Sequence, residues 1–283
     1  MTAVLALAGA LIVGASDFAG GFAARRDPAV RVTAWIQAAS LALLALALVP
    51  FGWTEVVGRD LVAGVIAGLS GTFSFICLYK SFTLGPISLL APVAAVLSAV
   101  VPTMVGVIRG ETLSTVNTVG VVVSLAAIVL VSQDRSGIGV DGQDPRSMAI
   151  GFGLAALAGT GFSIFFLALA ETDPASGLWP LVVARLFSVP VVSLIALAAT
   201  GSLVAATGNR RILLLGGLGE AAANVCAMAA YQRGPLSVAA VLSALFPVST
   251  VILARLVFSE RLRLQQWGGV FLTIGAIPLV VWP

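Results

Sequence analysis

The sequence has no histidine, two cysteines and a single lysine, and only 10% of its 283 residues are charged. Without histidine, the Ser-His-Asp and Cys-His catalytic triads and most transition-metal sites are excluded. The cysteines, Cys77 and Cys226, form no CxxC pair, so neither a disulfide framework nor a zinc site is expected. No GxxxxGKS or GxxxxGKT motif occurs, which excludes ATP hydrolysis by a P-loop. We therefore expect a protein that is not an enzyme and that holds no metal or cofactor.

Hydrophobic residues make up 59% of the chain, and the mean hydropathy is +1.10. Soluble domains carry about 25% charged residues, so this composition indicates an integral membrane protein surrounded by a lipid bilayer. The net charge of +3 comes from a few charges spread along the chain. A nucleic-acid partner would require a basic patch or stripe, so none is expected.

The apolar runs have the length of membrane spans. A bilayer core about 30 Å thick requires roughly 20 apolar residues in each helix. Clusters of charged, proline and glycine residues interrupt the chain nine times, which predicts an all-α fold of ten transmembrane helices. The alternative for the first run, a secretory signal peptide, is disfavoured because no basic segment precedes it. The predicted spans are 2–23, 30–51, 61–82, 86–108, 114–132, 147–170, 177–199, 212–231, 235–257 and 265–282.

The two halves of the chain resemble each other. At an offset of 149, 13 of the 47 positions 85–131 are identical, beginning with Gly85-Pro86 and Gly234-Pro235. Identity at a fixed offset indicates an internal duplication. We predict a first five-helix repeat over 1–133, a polar linker over 134–146 and a second five-helix repeat over 147–283.

Five crossings are an odd number, so the second repeat must enter the bilayer from the side opposite to the first. Many secondary transporters are built from such inverted repeats, with the binding site near the midplane between them. Because no ATP-binding motif is present, active transport would be coupled to an ion. The alternative is a membrane scaffold that transports nothing, or a channel-like protein.

Several local motifs accompany this duplicated layout. They are VGVIRGETLS at 105–114, LARLVFSERLR at 253–263, Gly14-Ala-Ser-Asp-Phe18 and the Ala184-Arg185 step. Together they resemble the EamA-type family of the drug/metabolite transporter superfamily. The resemblance implies ten transmembrane helices and the movement of small metabolites, and it supplies no universal catalytic residue. The sequence departs from the family pattern at Trp35-Ile-Gln-Ala-Ala39, where an arginine like Arg185 is common. We predict a secondary transporter that exports small metabolites.

Four ionisable side chains lie inside the predicted spans: Asp17, Arg185, Glu220 and Arg255. Each costs roughly 2.5–3.5 kcal/mol on insertion scales, so each requires a compensating partner or a function. A desolvated carboxylate can exchange a proton near neutral pH, as a proton-coupled carrier requires. Asp17 is therefore interpreted either as a proton- or substrate-binding group or as the ion-pair partner of Arg185 or Arg255.

Polar residues follow Glu220 along one face of its helix. Asn224 and Tyr231 lie four and eleven residues later, and Ser74 belongs to a matching stripe in the third span. Such stripes face the interior of a bundle, where they line a substrate cavity or form hydrogen bonds between helices. Trp179, at the start of span seven, is either a binding residue or an interface anchor. The candidate substrate- or proton-binding residues are Asp17, Glu220, Asn224, Tyr231, Trp179 and Ser74, and the candidate ion-pair residues are Arg185 and Arg255.

Basic residues are distributed unevenly between the loops. Loops after odd-numbered spans hold ten of them, and loops after even-numbered spans hold three. By the positive-inside rule, this count places both termini outside the cell. The family resemblance implies the reverse, since its members commonly keep both termini in the cytoplasm. We expect a multi-pass protein of the plasma (inner) membrane, either a monomer or a homodimer.

Overall fold

The computed structural model describes residues 1–51, 58–132, 145–258, 264–280 and 282, and these ranges are helical apart from short connections. A 3₁₀ turn, Pro174–Ser176, lies between the sixth and seventh helices. The α-helices are α1 Thr2–Ala23, α2 Ala29–Phe51, α3 Gly58–Phe82, α4 Ile87–Ile108, α5 Thr115–Ser132, α6 Pro145–Ala170, α7 Trp179–Thr200, α8 Arg210–Arg233, α9 Leu236–Ser243, α10 Phe246–Phe258 and α11 Leu264–Val280.

Each predicted span coincides with one helix or, for the ninth span, with α9 and α10 together. Seven of the described helices, α1 to α4 and α6 to α8, are individually long and apolar enough to cross a membrane. The prediction of an all-α integral membrane fold is confirmed. Most of the predicted linker over 134–146 lies outside the described residues, and its last two positions begin α6.

The ninth predicted span is interrupted between α9 and α10. Pro247 lies in the first turn of α10 and has no N–H with which to bond the Ser243 carbonyl one turn earlier. The chain makes a tighter turn there, in which the Leu245 N–H donates to the Leu242 carbonyl at 3.3 Å. The corresponding helix of the first half, α4, is continuous despite two internal prolines. The two halves therefore differ in the shape of this helix.

Contacts between helices follow the duplication. The packed pair α1 and α8 has its counterpart in α6 and α3, and the pair α2 and α8 has its counterpart in α7 and α3. Three further pairs, α2 with α7, α4 with α9, and α5 with α11, join a helix to its own counterpart. Exchanging the halves leaves this set of pairs unchanged, although α2 also packs on α3 without packing of comparable extent between α7 and α8. The main apolar cluster is built by both halves, from residues of every described α-helix except α7.

Equivalent carboxylate contacts lie on opposite faces of the bundle. On the face where the chain begins, which we call the N-terminal face, Asp60 in the first turn of α3 accepts a hydrogen bond from the Asp173 N–H at 3.0 Å. On the other face, Asp27 accepts a hydrogen bond from the Asn209 side chain at 2.7 Å. Asp27 and Asp173 each precede a proline in the first connection of their half. The same arrangement thus occurs once on each face, as inverted repeats require.

Candidate functional site

A cavity with about 40 Å³ of accessible space lies where the two halves meet. Its wall is formed by α1, α3 and α4 of the first half and by α6, α8, α9 and α10 of the second half. This space admits a few water molecules and is well below the about 300–1,000 Å³ of pockets that hold small organic molecules, so the cavity is narrow in this conformation. We refer to it as the central cavity.

Asp17 brings a carboxyl group to the wall of the central cavity from the middle of α1. The residue is 2% exposed, and its Oδ1 has no hydrogen-bond partner within the part of the chain that the structure describes. Close to it, α1 is held tightly against α10. A Cβ on Gly14 would lie 1.9 Å from Ser249 Oγ, and the Thr250 hydroxyl donates to the Gly14 carbonyl at 2.9 Å. The packing of the α1 backbone therefore fixes the position of the Asp17 carboxylate. Its Oδ1 makes no hydrogen bond to the described residues.

Aromatic rings cluster around the cavity. Phe75 of α3 meets Phe162 of α6 edge to face, with ring centroids 5.0 Å apart. One turn further along α6, Phe166 stacks parallel on Tyr231 of α8, also at 5.0 Å. The face of an aromatic ring carries negative potential and attracts cations. The cavity therefore combines a carboxylate with π surfaces.

Uncharged polar groups complete the wall. They are the Asn224 amide and the hydroxyls of Ser98, Ser243 and Tyr231. The Ser98 hydroxyl donates to the Ala95 carbonyl at 2.9 Å. The Ser243 and Tyr231 hydroxyls have no partner among the described residues. Because buried polar atoms are normally hydrogen-bonded, these two hydroxyls are suited to contact a solute or water in the cavity.

Arg185 of α7 and Glu220 of α8 form a buried ion pair next to the cavity. Arg185 Nη2 donates to Glu220 Oε1, and Asn224 Nδ2 donates to the same oxygen. Arg185 Nε also donates to Ser40 Oγ of α2 at 3.3 Å. Each charge compensates the desolvation of the other, since both side chains are no more than 1% exposed. Asp17 is close enough to Glu220 for the two carboxylates to interact electrostatically. Arg185 neutralises the charge of Glu220.

The first half has a neutral pair between the corresponding helices. Gln37 of α2 is fully buried and accepts a hydrogen bond at 3.0 Å from the Thr72 hydroxyl of α3. The counterparts of α2 and α3 are α7 and α8, which carry the guanidinium–carboxylate pair. At the offset of 149, Arg185 and Glu220 align with Ile36 and Gly71, so the neutral pair lies one residue away from the aligned positions.

Three of the sequence candidates lie elsewhere. The Ser74 hydroxyl donates within α3, and its side chain faces Gly161 at the contact between α3 and α6. Trp179 packs against an apolar cluster at the start of α7. Arg255 belongs to α10, and its side chain lies outside the described part of the structure. The candidates that come together at or beside the central cavity are Asp17, Asn224, Tyr231, Arg185 and Glu220.

The aromatic part of the wall is not among the residues predicted from the sequence. Phe162, Phe165 and Phe166 follow each other at i, i+3 and i+4 in α6, which places them on one helix face. This spacing could have identified the aromatic face of α6 from the sequence. Phe75 contacts Tyr79 one turn later in α3, with ring centroids 5.6 Å apart, but its contact with Phe162 joins the two halves of the chain and has no local pattern.

The two ends of the central cavity are built differently. Towards the N-terminal face, the stacked rings of Phe166 and Tyr231 bridge α6 and α8. Towards the opposite face, α1 packs directly on α3, and a Cβ on Gly20 would lie only 2.4 Å from the Tyr79 ring. Glycine at this position therefore allows the two helices to close the cavity on that side.

Residues 145–282 match the model of the EamA-like transporter family. No curated protein matches the chain. A solved structure, described only as the crystal structure of a protein, is similar with a TM-score of 0.75 and 19% sequence identity, over 98% of this chain and 96% of that one. This likeness shows a shared fold, and the family match confirms the resemblance carried by the sequence motifs. The second half of the chain is thus similar to the EamA-like transporter family.

Proposed function

We propose that the protein is a secondary transporter that moves a small solute through the central cavity by alternating access. The observation that carries the proposal is Asp17, a buried and incompletely hydrogen-bonded carboxylate in a cavity built by both halves. In inverted-repeat transporters, one half rocks against the other and opens the midplane site to each face in turn. A set of helix pairs that is unchanged when the halves are exchanged supports two such states. We assign the repeats to 1–133 and 147–283, joined by the linker 134–146.

The same carboxylate is proposed to couple transport to protons. A proton and a cationic solute compete for one negative charge, so binding of one releases the other. The Arg185–Glu220 pair is neutral as a whole, which leaves the charge of Asp17 for this exchange. In a cell with an inward proton gradient, the exchange drives the solute outward, and the protein is then an exporter. The other titratable groups around Asp17 are Tyr79 of α3 and Tyr231 of α8.

The transporting unit is proposed to be a single chain in the plasma membrane. One chain supplies helices on every side of the central cavity, so a second copy is not needed to complete the wall. Any dimer of this protein would therefore contain two independent cavities.

Counterflow in proteoliposomes tests the transport proposal. Vesicles with purified protein are loaded with one solute from a panel of amino acids, sugars, nucleosides and organic amines, then diluted into a radiolabelled trace of that solute. We expect saturable tracer uptake that transiently overshoots equilibrium for at least one solute, because a carrier exchanges bound solute one molecule at a time. A scaffold would give no uptake, and a channel would give uptake that neither saturates nor overshoots.

A further inference from the structure

The charge of the cavity wall restricts the charge of its ligand. Among the described residues that line the central cavity, Asp17 alone has a charged side chain, and its Oδ1 is unpartnered. Arg185 lies outside this lining, where its Nη2 donates to Glu220 and its Nε to Ser40, while its Nη1 has no hydrogen-bond partner among the described residues. An anion would add a second uncompensated charge in an apolar space, and a zwitterion would leave its own carboxylate unpaired. A ligand with one positive charge and no negative charge neutralises the site.

The rings of the wall restrict the rest of the ligand. Five aromatic rings surround the cavity. Phe75 belongs to the first half, and the others, Phe162, Phe165, Phe166 and Tyr231, belong to the second. A cation over a ring face is stabilised most strongly when both are removed from water, as in this interior. The same rings bury an apolar body well. A strongly hydrated inorganic cation would gain little from them, because few polar atoms are present to replace its water.

We propose that the central cavity takes a monovalent organic ammonium ion with an aromatic or aliphatic body. The nitrogen lies against Asp17 Oδ1, the body lies among the rings of α3 and α6, and the unpartnered Ser243 and Tyr231 hydroxyls accept remaining N–H groups. This assignment rests on the proposed transport function and names its substrate class. The cavity has about 40 Å³ of accessible space, so its wall must move apart for an amine with one aromatic ring to enter.

Three phenyl compounds that differ mainly in charge test the assignment. At pH 7, 2-phenylethylamine is a cation, 2-phenylethanol is neutral and 3-phenylpropionate is an anion. We expect purified wild-type protein to bind the amine, with dissociation constants at least about tenfold higher for the alcohol and the acid, because a hydrogen bond to a charged group contributes this much. Equal dissociation constants for the three compounds, or tighter binding of the acid, would overturn the proposal.

Two leucine variants test the role of the rings. Phe166→Leu keeps an apolar side chain but removes a π surface, so we expect amine binding to weaken about 2- to 30-fold and alcohol binding to change less. Phe187→Leu is the matched control, since Phe187 is 51% exposed on α7 and away from the cavity lining. If both variants bind the amine as the wild type does, the aromatic part of the proposal is wrong.

The counterflow panel separates this proposal from the transport function. If another solute shows counterflow and 2-phenylethylamine neither binds nor competes, the protein is a transporter and the cation assignment is overturned. If the amine binds with the charge preference given above but no solute shows counterflow, the cation site stands and the transport function falls.

Discussion

Asp17→Asn is expected to abolish proton-coupled exchange. The amide keeps the size of the side chain but carries no charge and exchanges no proton, so neither the solute nor the proton has its binding group. We expect the initial rate of counterflow to fall at least roughly tenfold, the loss that accompanies removal of a charged hydrogen-bond partner. A pH gradient should no longer drive solute accumulation in the same vesicles. Asp17→Glu, which keeps the charge, should retain part of both activities.

Stability measurements distinguish a functional Asp17 from a structural one. Because one carboxylate oxygen of Asp17 is buried without a partner, its replacement by asparagine should leave the thermal unfolding midpoint unchanged or raise it. Asp60→Asn is the matched control. Asp60 is equally buried and its Oδ1 also has no hydrogen-bond partner among the described residues, but its Oδ2 accepts hydrogen bonds from the Asp173 N–H and the Ser176 hydroxyl. That variant should lower the midpoint and retain exchange per folded molecule. Exchange that persists in Asp17→Asn, together with a lowered midpoint, would show that Asp17 is structural.

The Arg185–Glu220 pair is expected to show strongly non-additive effects on stability. Glu220→Gln leaves a buried guanidinium without its counterion, and Arg185→Met leaves a buried carboxylate. Each single change should lower the free energy of unfolding by about 3–5 kcal/mol, as in other broken buried pairs. The double variant should lose less than either single variant, because no uncompensated charge remains. Unfolding in mixed micelles of increasing denaturing detergent measures all four proteins.

An asymmetry between the two single variants gives this prediction a second check. A carboxylate can take up a proton when its partner is removed, whereas a guanidinium stays charged. Glu220→Gln should therefore be the more destabilising of the two. If the losses of the single variants instead add up in the double variant, the pair does not act as a unit, and its role as a neutral element beside Asp17 is contradicted.

Most of the fold could be predicted because the bilayer sets the length of each helix. The predicted span 2–23 coincides with α1, and 61–82 begins three residues after the start of α3. The break in the ninth span could not be foreseen. Membrane helices tolerate proline when neighbouring groups satisfy the freed carbonyl, so whether Pro247 breaks its helix depends on its tertiary surroundings.

Only those residues of the candidate site whose charge is costly to bury in a membrane could be predicted from the sequence. Asp17 and Glu220 stood out because a charge inside a span needs a reason. The pairing of Glu220 with Arg185 required the structure, since 35 residues separate them and they lie on different helices. The place of Phe75 in the cavity wall could not be predicted, because its contact with Phe162 joins the two halves and an apolar side chain has no contrast in a chain that is 59% hydrophobic. Charged residues inside membrane spans can therefore be identified from the sequence, whereas the apolar residues that surround them cannot.

Alternating access through the central cavity is tested most directly by thiol labelling from each side of the membrane. In a variant without Cys77 and Cys226, Ser98→Cys places one thiol in the cavity wall. Ser124→Cys is the control, since Ser124 is fully buried in α5 and away from the lining. We predict that a charged, impermeant thiol reagent labels the Ser98→Cys protein in both right-side-out and inverted vesicles, while Ser124→Cys stays unlabelled and the vesicles hold a proton gradient. Labelling of Ser98→Cys from one side only, under all conditions of substrate and pH, would contradict the account.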